Sequence, residues 1–183
     1  MSGFDLHVQW RSALSADSAP YYFPDRFTPY FRKNYSVSAV YRWRVMRVGS
    51  EMKERIYIGE AEHLVTRIQR VRTPSRKAKE GDTNKRLNKL FTEYLSEGRK
   101  IVLDIADIEP FEVNSIRFDH SALGHRFRRR ALENLLLAIA EVSGDYELLN
   151  IVIDPVEKAR RALARLPASA VREIIKRYGL SKA

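Results

Sequence analysis

A glutamate at the edge of an apolar helical segment is the first residue whose position suggests chemistry. Residues 130–142 repeat leucine and isoleucine at helical spacing, and Glu133 borders that apolar face. An unpaired carboxylate is costly in such a position, so it needs a partner. The sequence leaves two partners open, a hard divalent cation or a neighbouring arginine such as Arg129 or Arg130.

The overall charge points to an anionic partner. The chain has 183 residues, with 33 Lys and Arg against 23 Asp and Glu, which gives a formal net charge of +10. The basic residues gather in three stretches without matching acidic blocks, at 67–79, 126–130 and 160–177. Such a surface favours nucleic acid, although a ribosomal or membrane-surface role would fit the same charge.

Composition also excludes several classes of site. The chain has no cysteine, which rules out disulfides, cysteine-zinc sites and a thiolate nucleophile. No apolar run approaches the roughly 18–20 residues of a membrane span. The N-terminal residues lack the apolar segment of an export signal, so we expect a cytoplasmic protein with no membrane partner.

The elements that must position Glu133 follow from periodicity. Alternating apolar residues predict an antiparallel hairpin from strands at 37–48 and 56–58, which Gly59 ends. Further patterns predict helices at 61–71, 84–95 and 130–142 and strands at 101–105 and 148–153. This order indicates an α+β fold, a small central antiparallel or mixed β-sheet flanked by helices, with a helical C-terminal tail.

Three regions are expected along the chain. Residues 1–36 read as an irregular arm, because Pro20 precedes the aromatic run 21–31, Pro24 and Pro29 interrupt it, and prolines at this density argue against a helix or an interior strand. We expect those aromatic side chains to pack on the main domain in preference to stacking on bases. The main domain is 37–153, and 154–183 form a basic helical extension.

The hairpin motifs resemble those of a nuclease family. Ala39-Val40-Tyr41 and Tyr57-Ile58-Gly59 resemble the two half-motifs that name the GIY-YIG nucleases, and Arg67 follows Gly59 at the family's spacing. The segment Asn84-Lys85-Arg86-Leu87 is similar to the family's Asn-x-x-Leu element. Glu133 and Asn150 are similar to its metal-binding glutamate and terminal asparagine. The resemblance covers about residues 37–152.

The resemblance implies a metal-dependent DNA endonuclease with defined residue roles. Glu133 would hold Mg²⁺ or Mn²⁺, and Arg67 would bind the scissile phosphate. Tyr41 would lie near the attacking water and Tyr57 near the phosphate, while Asn150 would orient a neighbour or the substrate. From the residues alone, Tyr41 also fits a position in the core, and Arg67 also fits a solvated face of a helix. The sequence departs from the family pattern where Ala39 replaces glycine, and the general base stays open.

Partners and alternatives complete the expectations. Residues expected to contact duplex DNA are Arg70, Arg72, Arg76, Lys77, Lys85, Arg128 and Arg129. A homodimer is left open, because double-strand cutting requires two active sites or two successive nicks. The main alternative is a non-catalytic module that keeps the fold and binds DNA or structured RNA. A third interpretation is an RNA-processing or ribosome-associated basic protein, which would have the same composition.

Overall fold

The computed structural model describes residues 8–46, 49, 53–77, 79, 82–109, 111–113, 116–118 and 121–150, with the backbone alone for 111–113, 116–118 and 122. Met1–Asn150 form one unit of the chain. The helical extension expected at 154–183 lies outside the described residues.

Five strands form the central sheet, and two short strands pair separately. In chain order they are β1 (Val8–Ser12), β2 (Ala39–Val45), β3 (Glu54–Ala61), β4 (Ile101–Ile108), β5 (Phe111–Val113), β6 (Ile116–Phe118) and β7 (Tyr146–Leu148). The sheet order is β1-β4-β2-β3-β7, with β5 and β6 as the separate pair. Only β3 and β7 run parallel within the described sheet. The expected mixed sheet in an α+β fold is therefore confirmed.

Helices cover both faces of this sheet. They are α1 (Pro29–Tyr35), α2 (Leu64–Arg72), α3 (Thr83–Ser96) and α4 (Arg126–Ser143). Side chains from α1, α2 and α3 pack with Tyr41 and Trp43 of β2, whereas α4 packs with Val40 and with Ile58 of β3. This division follows from the alternation of side chains along a strand. None of the helices in the described ranges is long and apolar enough to cross a lipid bilayer.

Residues 8–36 include two regular elements, so the expected irregularity is wrong for Val8–Ser12 and Pro29–Tyr35. The first strand pairs antiparallel with β4 at the sheet edge. Helix α1 starts with Pro29, where a missing N–H costs no hydrogen bond, and the Thr28 side chain accepts from the Phe31 N–H at 3.1 Å. Tyr21, Phe23 and Phe31 are buried in the same core as β2, which confirms the expected packing of the aromatic run.

Candidate active site

Gly59 allows two tyrosine rings to meet on one face of the sheet. It pairs directly with Tyr41 of the neighbouring strand, and Tyr57 lies two residues earlier on the same face. A Cβ atom at position 59 would lie 2.8 Å from the Tyr41 Oη and 2.9 Å from the Tyr57 Cε1. The strand continues through Gly59 to Ala61, so the expected end of the strand at this glycine is wrong. Glycine here provides space for the rings.

Arg67 of α2 connects both tyrosine hydroxyls. Its Nε donates to the Tyr41 Oη at 3.0 Å, and one Nη donates to the Tyr57 Oη at 3.5 Å. The other Nη donates to the Asn84 side chain of α3. Asn84 is fixed in turn because the Asp82 carboxylate caps α3 and accepts from the Asn84 N–H at 2.9 Å. Residues from β2, β3, α2 and α3 thus hold one guanidinium in a defined orientation.

Glu133 of α4 acts on the same two hydroxyls. Burial is the main cause that raises the pKa of Tyr41 and of Tyr57 above the ordinary value of 10, and the negative charge of Glu133 adds to it. The charge of Arg67 acts in the opposite direction on both. Both phenols are therefore neutral at pH 7. The Glu133 carboxylate of α4 is also close enough to influence the two hydroxyls that bind Arg67.

Asn150 binds the backbone of β3. Its Oδ1 accepts from the Ile58 N–H at 2.9 Å, and its Nδ2 donates to the Ile58 carbonyl at 2.7 Å. The preceding Leu149 N–H donates to the Ile56 carbonyl at 2.7 Å. These bonds fix the strand on both sides of Tyr57. The expected orienting role of Asn150 therefore applies to a neighbouring strand in this structure.

Arg86 of α3 is a site residue that the sequence reasoning missed. One Nη donates to the Leu149 carbonyl at 3.0 Å, while the buried Nε has no hydrogen-bond partner in the described part of the chain. Its positive charge acts to lower the pKa of Tyr57, against the larger effect of burial. Arg86 lies inside the Asn-x-x-Leu segment of the sequence. Its relation to Tyr57 depends on a tertiary contact, because residues 149–150 bind both Arg86 and the strand that carries Tyr57.

The Glu133 carboxylate is a donor group of the kind that hard cations bind. Among the described residues, no three His, Asp or Glu side chains gather into a metal site. Asp104 is buried, but it already accepts from Ser12 at 2.8 Å, Arg42 at 2.8 Å and Arg44 at 3.1 Å. A cation at Glu133 would therefore take its other oxygens from water and substrate, which suits Mg²⁺ or Mn²⁺.

The basic residues expected to contact DNA divide by exposure. Arg70, Arg76, Lys77 and Lys85 are exposed, and Arg72 and Arg128 are half-buried. Helix α2 ends at Arg72, whose carbonyl accepts a hydrogen bond from the Asn88 side chain of α3. Helix α3 begins next to Asn84, which binds Arg67. The connection that carries Arg76 and Lys77 therefore returns toward the site.

Arg129 does not fit the expected contact with DNA. It is 2% exposed, and its guanidinium donates to Glu60 at 2.8 Å and to the carbonyls of Leu123 and Gly124. Arg130 also lies near Glu60, with 3.6 Å between its Nε and the Glu60 Oε1. Both arginines considered as partners of Glu133 thus contact the glutamate that follows Gly59.

No family model, curated protein or solved structure matches this chain. The function proposed below therefore depends on the motifs and on the geometry of this site.

Proposed function

We propose that the protein is a metal-dependent endonuclease of the GIY-YIG type that hydrolyses phosphodiester bonds in DNA. The observation that carries this proposal is the Arg67 guanidinium, held by Tyr41, Tyr57 and Asn84, with the Glu133 charge acting on the same hydroxyls. A fixed cationic fork, together with a carboxylate whose charge reaches the same hydroxyls, supplies groups that phosphodiester hydrolysis requires.

Each residue has a role in this reaction. Hydrolysis adds a water oxygen to phosphorus, breaks one P–O ester bond and leaves a proton on the departing oxygen. Arg67 binds non-bridging phosphate oxygens and stabilises the charge that develops on them. Glu133 would hold Mg²⁺ or Mn²⁺, which supplies further positive charge to the phosphate when bound.

The two tyrosines divide their tasks by burial. Tyr41 is 0% exposed and Tyr57 is 6% exposed. Because Tyr57 keeps a small exposed area and Tyr41 keeps none, we assign to Tyr57 the orientation of the attacking water by hydrogen bonding. Tyr41 holds Arg67 instead. This assignment reverses the expectation that placed Tyr41 on the water side.

The test is cleavage of supercoiled plasmid DNA with Mg²⁺ or with EDTA. We expect metal-dependent cutting by the native protein and its loss in Glu133→Gln, with DNA binding retained. Glu141→Gln, an exposed change on the same helix, should leave cutting intact. Linear product at early times would support a dimer that cuts both strands. Binding to DNA without cutting, over varied substrates and metals, would favour the non-catalytic binding module instead.

A further inference from the structure

Helix α4 presents a basic flank on the side that carries Glu133. Its buried residues are Arg129, Leu132, Leu136 and Ala140, which define the side that faces the sheet. At about 100° per residue, Glu133 lies beside this buried stripe, and Arg126 and Arg130 lie within roughly 60° of Glu133. Arg128 lies about 140° from Glu133, past the opposite edge of the stripe.

Arg130 is close to the site along the chain and through space. It stands one helical turn before Glu133, and its Nε lies 3.6 Å from a carboxylate oxygen of Glu60, the residue after Gly59. Its side chain is nevertheless 46% exposed, and Arg126 is exposed one turn further out. A phosphate near Glu133 would therefore have two cations along the same flank.

The start of α4 is also electrostatically unfavourable without a ligand. Its first turn has no acidic residue, and the side chain of His125 does not cap it. Arginines beside the positive end of the helix dipole oppose that dipole. An anion at this place would be favoured by the dipole and by the arginines together.

Phe127 adds an aromatic surface to the flank. It is 69% exposed, although a phenyl ring in water is unfavourable. On the helix it lies about 60° beyond Arg130, away from the sheet. In duplex DNA an exposed aromatic ring next to arginines provides an apolar wedge that packs against a base step.

We propose that Arg126 and Arg130 bind the phosphates next to the scissile one, and that Phe127 packs on a base of the same DNA strand. This inference rests on the proposed function, because it places the substrate strand along α4 toward Glu133. Arg126 and Arg130 thereby take the place of Arg128 and Arg129 as the expected DNA contacts of this helix.

The experiment measures binding to a duplex DNA oligonucleotide by fluorescence anisotropy in EDTA at several KCl concentrations. Arg126→Gln and Arg130→Gln should each weaken binding and each reduce the slope of log affinity against log salt by about 1. Arg130→Lys should restore the slope. Arg128→Gln is the matched control, with the same charge change on the same helix, and should leave the slope unchanged.

Phe127→Ala should weaken binding by about tenfold without a change in slope, because an apolar contact with a base step releases no counterions. Val142→Ala, which removes an 88% exposed apolar side chain at the far end of α4, is its control. Equal slopes for all three arginine-to-glutamine variants would overturn the inference even if the native protein cuts DNA. The predicted slopes without any cutting would support the flank and contradict the nuclease proposal. Binding to an RNA duplex alone would overturn the inference.

Discussion

At the scale of single residues, Gly59 is the described glycine at which a side chain would be most crowded. A Cβ atom there would approach both the hydroxyl and the Cζ of Tyr41 to within 3.0 Å, and the Tyr41 ring is fully buried. We expect Gly59→Ala to destabilise the fold by about 1–3 kcal/mol, because the rings must shift. Displacement of Arg67 with them should reduce the cleavage rate by about 100-fold.

Urea unfolding and single-turnover cleavage measure the two effects of this change. Gly124→Ala serves as the control, because a Cβ atom at Gly124 meets nothing within 4 Å. Unchanged activity in Gly59→Ala would show that Tyr41 and Arg67 need not be placed as they are.

Arg86 gives a second prediction at this scale. Arg86→Met keeps the side-chain length but removes a charge that lowers the pKa of Tyr57, so that pKa should rise further. Because the neutral Tyr57 phenol orients the attacking water, the basic limb of the pH–rate profile should move to higher pH. Arg86→Lys, which restores the charge, should return the limb to the pH of the native protein. Lys89→Met, on the exposed side of α3, should leave the limb in place. A rate that falls without any shift of the limb would indicate that Arg86 only holds Leu149.

Residue types and spacing identified most of the site from the sequence. Tyr41 and Tyr57 stand in the two half-motifs and Arg67 follows Gly59 at the expected spacing, although the separation between the tyrosines is longer than in the family pattern. The structure brings all three into hydrogen-bond contact. The sequence could not show that Arg129 is buried against Glu60, because the four arginines among residues 126–130 look alike until the helix face is known. Arg86 required the same tertiary information.

At the scale of elements, the segments with clear apolar patterns were predictable, whereas the two short N-terminal elements were not. Helices α2 and α3 and strand β2 carry clear apolar periodicity, and they form within a few residues of the expected bounds. The first strand is only five residues long, and its hydrogen bonds come from β4 far along the chain. Helix α1 has seven residues, which is too short to be stable without the packing of Phe31.

At the scale of the whole molecule, the N-terminal residues should be required for folding. Deletion of residues 1–36 would remove β1 from the sheet edge and leave the buried Trp43 and Phe91 without the Phe23 ring that packs on both. We expect this variant to lose the cooperative unfolding transition. A stable, cooperatively folding 37–183 fragment would contradict this and would support the boundary suggested by the sequence.

A pair of point variants tests the same idea in the full chain. Phe31 is 1% exposed, so Phe31→Ala should cost about 3–5 kcal/mol of unfolding free energy. The adjacent Tyr30 is 43% exposed, and Tyr30→Ala should change that free energy by no more than about 0.5 kcal/mol. Denaturant titration followed by tryptophan fluorescence measures both.

The central claim is that Arg67 and Glu133, from different helices, act as one catalytic site on a phosphodiester. A double-mutant cycle on single-turnover DNA cleavage, with Arg67→Lys, Glu133→Asp and their combination, tests it most directly. Residues that act as a unit are not additive, so we predict that the double variant is hardly slower than the slower single variant. Losses that multiply in the double variant, or a native protein that does not cleave DNA, would contradict the account.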